Sequence, residues 1–301
     1  MNGNWLDIEK HMSQALDLTI NFQSCTALLG GDINNSFKLT DKNNQNWFIK
    51  TNKPNQLFMF EAESKGLQAL NTSNSFRLPS VICYGKTKQY SYLVLEYLDL
   101  LPQISQKPTG LALSKMHLYQ PSNNKNNVGE LFGWELNNTI GLTPQSNHQH
   151  KSWIRFWQQE RLLPQLKFAK NNGYSTIDYE NGLRLIENLS VFFTTYSPRP
   201  SLLHGDLWSG NCASDAQGNP IIFDPAVYWG DRETDIAMTE LFGGYTQDFY
   251  DVYNADYPLD QGYTTRKQLY NLYHVLNHFN LFGGNYALQA ASMTKHLLAQ
   301  I

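Results

Sequence analysis

The sequence predicts an α+β protein of two lobes, in which a small β-rich lobe precedes a larger, mainly helical lobe. Short β-prone segments separated by polar turns fill most of the first 98 residues, whereas after residue 98 the apolar spacing becomes mainly helical. A chain of 301 residues is also long enough to bury a sizeable core. We therefore expect an amino-terminal lobe at 1–98, a carboxy-terminal lobe at 99–301 and a cleft between them, where ligands commonly bind.

The amino-terminal lobe is predicted to run in the order helix, three strands, helix, two strands. Trp5, Ile8 and Met12 follow the spacing of one helical face, and the β-prone runs are bounded by turns rich in Asp and Asn. The predicted helices cover 3–18 and 57–71, and the predicted strands cover 25–31, 36–40, 46–52, 80–85 and 91–98.

The rest of the chain is predicted to be helical apart from one pair of strands. A polar, asparagine-rich connection at 120–150 precedes most of the helices. The predicted helices lie near 109–119, 151–170, 179–196, 234–251 and 264–281. Strands at about 201–204 and 220–224 are expected to pair with each other on either side of a conspicuous loop.

The composition indicates a folded protein that has no electrostatic attraction to polyanions. The formal net charge is −3, so neither nucleic acid nor a membrane is an expected partner. Cys25, Cys83 and Cys212 are widely spaced and form no CxxC, which favours a reducing compartment over a disulfide framework. The chain shows no secretory signal, and no window approaches 18 consecutive apolar residues. We expect a soluble, cytoplasmic protein.

The conspicuous loop lies in the stretch LLHGDLWSGNCASDAQGNPIIFDP. Its first part, residues 204–211, is called the catalytic loop below. Asp206 lies five residues before Asn211, and Asp224 follows thirteen residues after Asn211. Each alone could be a turn or cap residue. Phosphoryl transfer from ATP, however, needs a base for the acceptor proton and oxygen ligands that hold Mg²⁺ against the phosphates. The spacing predicts Asp206 as the catalytic base and Asn211 and Asp224 as the metal ligands, while His204 is expected to orient the loop.

The amino-terminal lobe supplies candidates for the remaining parts of a nucleotide site. Lys50 ends WFIK on the third predicted strand and could reach the α- and β-phosphates. Glu63 is favoured over Glu61 as the partner of Lys50, because helical spacing places Glu63 towards the core. Gly30 and Gly31 lie between the first two strands, where a glycine turn would let backbone N–H groups approach phosphate. This turn does not match GxGxxG and is weak evidence alone. The prediction of a nucleotide site rests on the whole set in its chain order, which is Gly30, Gly31, Lys50, Glu63, Asp206, Asn211 and Asp224.

Seven segments spread over the chain carry a family resemblance: GGDIN, LVLEYL, FGW, LLHGDLWSGN, FDPAVYWGDRETDIA, FGGY and LNHFNLFGG. Together they resemble the fructosamine kinase (ketosamine-3-kinase) family of the protein-kinase-like superfamily. The resemblance implies a protein-kinase-like fold and ATP-dependent phosphorylation of the C3 hydroxyl of a ketosamine, which is a small molecule or a glycated lysine. The phosphate ester is labile and its breakdown releases the amine, so the implied role is protein repair. The resemblance also implies that Glu96, Tyr97 and Leu98 meet the adenine through their backbone.

The sequence departs from the protein-kinase pattern after Asp224. Pro225 and Ala226 follow where a protein kinase has Phe-Gly, and only ten residues separate Asp224 from Asp235. This leaves little room for a regulatory activation segment. We expect a constitutively assembled site for a small acceptor or for one side chain presented by a protein.

Two other functions remain open from the sequence. A kinase for an aminoglycoside or choline would call for a carboxylate-rich pocket, because these acceptors are cationic. The segment 132–147 carries one acid, Glu135, among many amides, which suits a hydroxyl-rich sugar better. A nucleotide-binding pseudokinase without turnover would be expected to lack an essential residue, and none is missing.

Three further features have both a structural and a functional interpretation. His274 and His278 are four residues apart but lack the glutamate of a zinc-protease motif, so a structural or substrate-facing role is expected. The charged run at 231–235 is expected to form an ion-pair network in which Asp235 could brace the catalytic loop. Trp208 could stack on the sugar or fill the core.

Overall fold

The amino-terminal part of the chain folds into a five-stranded antiparallel sheet with a helix on each face. The computed structural model describes residues 5–28, 33–121 and 129–301. The elements of this part are α1 (Leu6–Leu16), β1 (Phe22–Leu28), β2 (Asn35–Asp41), β3 (Asn46–Asn52), α2 (Leu57–Asn71), β4 (Val81–Lys86) and β5 (Ser91–Glu96). The strand order across the sheet is β1-β2-β3-β5-β4. The predicted elements are present with bounds shifted by a few residues, and the predicted positions 3, 4 and 29–31 lie outside the described residues.

The alternation of side chains along β3 determines what this strand presents to the cleft. Trp47 and Ile49 lie on the face that packs against α1, where they share a small core with Ile8. Phe48 and Lys50 lie on the opposite face, towards α2 and the larger core. The two-residue period of the strand therefore places the ammonium of Lys50 inside the molecule.

The carboxy-terminal part is mainly helical and surrounds one large core. Its helices are α3 (Lys107–Leu118), α4 (Trp153–Phe156), α5 (Leu163–Asn171), α6 (Thr176–Glu187), α7 (Glu233–Leu241), α8 (Gln247–Asp256), α9 (Tyr263–Phe282) and α10 (Tyr286–Leu298). Its short strands are β6 (Asn138–Ile140), β7 (Thr143–Gln145), β8 (Ser201–Leu203), β9 (Cys212–Ser214), β10 (Pro220–Ile222) and β11 (Tyr228–Gly230). Leu269 and Leu276 of α9 are buried in this core, which continues into the sheet through Leu93 and Leu95. In the part of the chain that the structure describes, no helix has both the length and the apolar character to cross a bilayer.

The predicted pairing of 201–204 with 220–224 is wrong. Both segments form strands, but β8 pairs with β11 and β10 pairs with β9. The carboxylate of Asp215 accepts the N–H groups of Gln217 and Asn219, which closes a tight turn between β9 and β10. This local hairpin leaves β8 to pair with the next strand along the chain.

Three of the predicted helices are interrupted in the structure. The region 151–170 changes from α to π geometry at Trp157–Leu162. The region 179–196 ends as an α-helix at Glu187 and continues as a separate 3₁₀ turn. The region 234–251 is divided by Gly243 and Gly244, whose φ angles of +71° and +96° lie outside the helical range.

The last helix, α10, is not among the helices predicted from the sequence. The buried face of this helix is formed by Ala290, Ala291, Thr294 and Leu297. Three of these four side chains are small, so no strong apolar stripe marks the helix in the sequence.

Candidate active site

A cleft of about 1030 Å³ lies between the sheet and the helical part. One wall is formed by β3, α2 and the end of β5 through Lys50, Glu63 and Glu96, and the other wall carries Asp206 and Asp224. This volume is at the upper end of the range for ligand pockets, about 300–1,000 Å³. It suits a nucleotide bound beside a second ligand better than one small ligand.

Lys50 joins the two walls of the cleft. Its Nζ lies 2.7 Å from Oε1 of Glu63 and 2.5 Å from Oδ1 of Asp224, and its side chain is only 5% exposed. Burial alone lowers the pKa of a lysine, but the two carboxylates outweigh burial and hold the pKa of Lys50 above its usual range. Glu61 is exposed, so Glu63 is the carboxylate of this helix that contacts Lys50.

Asp224 is held in a rare backbone conformation at the cleft. Its φ of +57° lies in the left-handed region that few residues other than glycine adopt. The preceding residue, Phe223, ties this loop to the catalytic loop, because its N–H donates to the carbonyl of Asn211 at 3.2 Å. The side chain of Asp224 is 46% exposed, and among the described residues its Oδ2 has no hydrogen-bond partner. That oxygen is therefore open to a ligand.

Asp206 and Asn211 face each other within the catalytic loop. Nδ2 of Asn211 donates to the backbone carbonyl of Asp206 at 2.9 Å and lies 3.4 Å from its carboxylate Oδ2. The loop ends in a 3₁₀ turn over Ser209–Asn211. Because the amide nitrogen is used inside the loop, the amide oxygen of Asn211 is the atom left to bind a metal ion.

The surroundings of Asp206 raise the pKa of its carboxyl group to about 7. Burial is the largest cause, the negative charges of Asp224 and Asp235 add to it, and the hydrogen bond from Asn211 opposes it. A carboxyl group that titrates near neutral pH suits a general base, since a large fraction of it is ionised at neutral pH and the carboxylate still has an appreciable affinity for a proton.

Asp235 fixes the backbone of the catalytic loop. Its Oδ2 accepts the N–H of His204 at 2.8 Å, and its Oδ1 accepts the N–H of Gly205 at 2.9 Å. Gly205 has a φ of +80°, and a Cβ at this position would lie 2.1 Å from the carbonyl oxygen of Ala226. Only glycine fits here, which explains the glycine between His204 and Asp206.

His204 orients the loop through both of its ring nitrogens. Nδ1 accepts the N–H of Asp206 at 3.2 Å, so the proton is on Nε2, which donates to the carbonyl of Phe223 at 2.9 Å. Burial lowers the pKa of His204 even though Asp235 lies close, so the ring is neutral. With both nitrogens engaged, His204 serves as a bridge between the catalytic loop and the loop of Asp224.

His117 supports Asp235 from the opposite side and is not among the predicted site residues. Its Nε2 lies 3.3 Å from Oδ2 of Asp235, and its Nδ1 lies 2.8 Å from the hydroxyl of Tyr253. Burial raises the pKa of Asp235, but the hydrogen bond from His117 is first among the opposing causes, and the pKa of Asp235 lies below its usual range. In the sequence, a histidine within α3 is the only sign of this contact.

The charged run at 231–235 forms a buried network, as its composition predicts. Glu233 accepts two hydrogen bonds from Arg266 of α9, at 2.7 and 2.9 Å. Asp231 accepts a hydrogen bond from the hydroxyl of Tyr270 at 2.5 Å. This network anchors the start of α7, from which Asp235 reaches the catalytic loop.

The end of β5 lines the cleft at the edge of the sheet. Glu96 and Leu98 line the cleft and Tyr97 does not. The N–H of Glu96 already donates to a carbonyl of the neighbouring loop at 2.9 Å, whereas among the described residues the backbone of Leu98 has no hydrogen-bond partner. The predicted phosphate turn at Gly30 and Gly31 lies outside the described residues.

Trp208 lines the cleft beside Asp206. Its ring lies across Gly210, where an added Cβ would come within 2.1 Å of the ring, and the side chain is 40% exposed. The interpretation that Trp208 fills the core is therefore wrong, and the ring is placed where it could stack on a ligand.

The chain is similar over nearly its whole length to proteins of one kinase family. The family model described as fructosamine kinase matches residues 4–300. A probable ketoamine kinase of Synechocystis is 40% identical over 294 residues, which are 98% of this chain and 97% of that protein. A chloroplastic protein-ribulosamine 3-kinase of Arabidopsis thaliana is 38% identical over 257 residues, which are 85% of this chain and 77% of that protein. The crystal structure of a candidate fructosamine-3-kinase from Haemophilus somnus matches with a TM-score of 0.87 at 28% identity, and the match covers 98% of this chain and 97% of that chain.

Proposed function

The chain belongs to the fructosamine kinase family, and we propose that its cleft transfers the γ-phosphoryl group of ATP to the C3 hydroxyl of a ketosamine. The observation that carries this proposal is the convergence of Lys50, Asp206 and Asp224 on one cleft, in a chain that matches the family from residue 4 to residue 300. Phosphorylation of a ketosamine would begin the removal of the sugar from a glycated amine.

The side chains of the cleft fit a nucleotide and a magnesium ion. The amide oxygen of Asn211 and the carboxylate of Asp224 are hard oxygen ligands of the kind that Mg²⁺ prefers. Among the described residues, no group of three or more His, Cys, Asp or Glu side chains could hold a metal ion alone, which suits an ion that takes its other ligands from phosphates and water. When bound, the ion would neutralise charge on the phosphates. Lys50 would bind the α- and β-phosphates, Glu63 would hold Lys50 in place, and the free backbone of Leu98 would meet the adenine.

Asp206 would act on the acceptor. Its carboxylate would accept a hydrogen bond from the acceptor hydroxyl, orient that oxygen towards the phosphate, and take up the proton as the bond to phosphorus forms. Asn211 and Asp235 would keep the carboxylate and the loop in position. The pKa of about 7 for Asp206 matches this task.

The distribution of carboxylates in the cleft favours a ketosamine over a polycationic acceptor. Among the described residues, the acids that line the cleft are Glu63, Glu96, Asp206 and Asp224. Glu63 and Asp224 contact Lys50, and Glu96 lies at the end of β5. Of these four acids, the acceptor end offers one carboxylate, Asp206, whereas an aminoglycoside would need several. The acceptor is either a free ketosamine or a glycated lysine side chain.

A panel of acceptors tests the proposed function. ADP formation would be followed with Mg²⁺-ATP and fructosyl-lysine, ribulosyl-lysine, an aminoglycoside or choline. We expect turnover with the ketosamines and a rate at the level without acceptor for the others. Turnover confined to the aminoglycoside or choline would contradict the proposal, and nucleotide binding without turnover on any acceptor would indicate a pseudokinase.

A further inference from the structure

Among the described residues, the imidazole of His274 has no hydrogen-bond partner, although it is buried at the cleft. The residue is 4% exposed and lines the cleft that contains Asp206. Within residues 5–28, 33–121 and 129–301, neither ring nitrogen forms a hydrogen bond, and the ring packs edge-to-face with Tyr273 at a centroid distance of 5.1 Å. The ring nitrogens are not among the fully buried polar atoms that lack a partner. They therefore reach the cleft, where a ligand can bind them.

The neighbouring His278 has a structural explanation that His274 lacks. Nδ1 of His278 donates to the backbone carbonyl of His274 at 2.8 Å. Its ring packs against Phe242, Phe282 and Tyr286 at centroid distances of 4.9, 5.7 and 5.2 Å. His278 also lines the cleft, but these contacts give it the structural role, which is one of the two roles expected for this histidine pair. The substrate-facing role is left for His274.

The chemistry of His274 matches a hydroxyl group. Burial lowers its pKa to about 3, with a further contribution from His278, so the ring is neutral at physiological pH. A neutral imidazole offers one N–H donor and one acceptor nitrogen, and a sugar hydroxyl both accepts and donates. Asn277, three residues further along α9, lies on the same helical face, is 3% exposed and also lines the cleft. The amide of Asn277 is already bonded within the protein, since its Oδ1 accepts from Gln165 at 3.2 Å and its Nδ2 donates to the carbonyl of Ile140 at 3.4 Å. Of the two side chains, His274 is therefore the one left for a sugar.

We propose that His274 determines acceptor specificity by binding one sugar hydroxyl of the ketosamine other than the hydroxyl that is phosphorylated. His274 then holds the sugar so that the C3 hydroxyl meets the carboxylate of Asp206. This inference rests on the proposed function and names the side chain of this site that recognises the sugar.

A cycle of substrate analogues and variants tests the contact. The acceptors would be fructosyl-lysine and its analogues that lack the hydroxyl at C4, C5 or C6, each assayed with the wild type and with His274→Phe. We expect His274→Phe to lower kcat/KM for fructosyl-lysine by about 10- to 100-fold, the loss typical of one hydrogen bond to a substrate. One deoxy analogue should suffer a similar loss with the wild type and no further loss with the variant. If the loss caused by His274→Phe and the loss caused by the missing hydroxyl multiply for all three analogues, the proposal is overturned.

Control variants separate this contact from a general effect on the helix. Asn271, on the same helix, is buried and does not line the cleft, so the loss caused by Asn271→Ala should be the same for every analogue. His274→Gln keeps a donor and an acceptor in a flexible side chain, and it should restore part of the discrimination even if the phenylalanine variant folds poorly. The KM for ATP should stay within about twofold in both His274 variants, because the lost bond is made to the acceptor.

The failure of this inference can be told apart from the failure of the proposed function. A wild type that phosphorylates no ketosamine would contradict the proposed function itself. An active wild type in which the effects of the variant and of each missing hydroxyl are independent would contradict only the role of His274.

Discussion

The ammonium of Lys50 lies 2.5 Å from Oδ1 of Asp224, although the two residues are 174 positions apart in the chain. One comes from the third strand of the sheet and the other from the loop after β10. Their contact brings a cation and an oxygen ligand to one region of the cleft, with Glu63 on the far side of the ammonium. The geometry depends on three short segments and needs no long activation segment to assemble it.

The substitution Glu63→Gln tests whether the carboxylate on α2 positions Lys50. Removal of one member of a buried ion pair costs several kcal/mol, and here the loss falls on nucleotide binding. We expect kcat/KM for Mg²⁺-ATP to fall by at least tenfold. Glu61→Gln is the matched control, because Glu61 lies two residues away and is exposed, and its kcat/KM should stay within about twofold of the wild type. Equal losses in the two variants would show that Glu63 has no special relation to Lys50.

The substitution Asp206→Asn separates chemistry from nucleotide binding. General-base catalysis contributes about 10²- to 10⁴-fold, so kcat should fall by that factor. The affinity for a non-hydrolysable ATP analogue with Mg²⁺, measured by calorimetry, should change by less than about threefold. Asp224→Asn should instead act mainly on affinity and weaken binding of the metal–nucleotide complex. A variant at position 206 that keeps most of its kcat would contradict the role of Asp206.

The raised pKa of Asp206 also predicts how stability depends on pH. The carboxyl group titrates at about 7 in the folded protein and at about 3.9 in an unfolded chain. Between these values the folded state holds a proton that the unfolded state has lost, so the contribution of Asp206 to stability falls as the pH rises from about 4 and levels off above about 7. Asp206→Asn removes the charge. We expect this variant to be more stable than the wild type by about 2 kcal/mol at pH 8, since each pKa unit corresponds to about 1.4 kcal/mol and water in the cleft screens part of the charge.

Urea unfolding of the nucleotide-free protein at pH 5, 6.5 and 8 measures this difference. The advantage of Asp206→Asn should shrink steadily from pH 8 to pH 5. An advantage that is independent of pH, or a variant that is less stable at pH 8, would show that the folded-state pKa is not raised.

Two glycines with the same backbone angle test the close contact beneath the catalytic loop. Gly205 and Gly218 have φ angles of +80° and +82°, but a Cβ at position 205 would lie 2.1 Å from the carbonyl of Ala226 and a Cβ at 218 would meet nothing within 4 Å. Gly218→Ala should cost about 1–2 kcal/mol of unfolding free energy, the cost of a left-handed backbone. Gly205→Ala should cost clearly more and also lower kcat, because Asp206 would move. Similar losses of stability, measured by urea unfolding, would contradict the clash.

The fold class and the convergence of Lys50, Asp206 and Asp224 on one cleft could be predicted from the sequence because the signals that carry them are local. The two-lobed, protein-kinase-like fold is confirmed by the match to the Haemophilus somnus structure. The spacing from Asp206 to Asn211 lies within one loop, and the period of β3 decides which side of the sheet Lys50 faces. The lobe boundary at residue 98 stays a prediction, as do the roles assigned to the single side chains.

Contacts between distant elements could not be predicted. The bond from His117 to Asp235 depends on how α3 packs against α7, and the pairing of β8 with β11 depends on a turn at Asp215 that closes another hairpin first. For His274, the sequence shows a histidine on a helix but not the absence of a partner. These features arise from tertiary packing, which no local pattern encodes.

The position of the transferred phosphate is the sharpest test of the proposed reaction. The protein would be incubated with Mg²⁺-ATP and fructosyl-lysine labelled with ¹³C at C3, and the product examined for coupling between ¹³C and ³¹P. We expect a phosphate ester to form on the C3 oxygen with the wild type and none to accumulate with Asp206→Asn. ADP formation that leaves the ketosamine unchanged, or an ester on a different oxygen, would contradict this expectation.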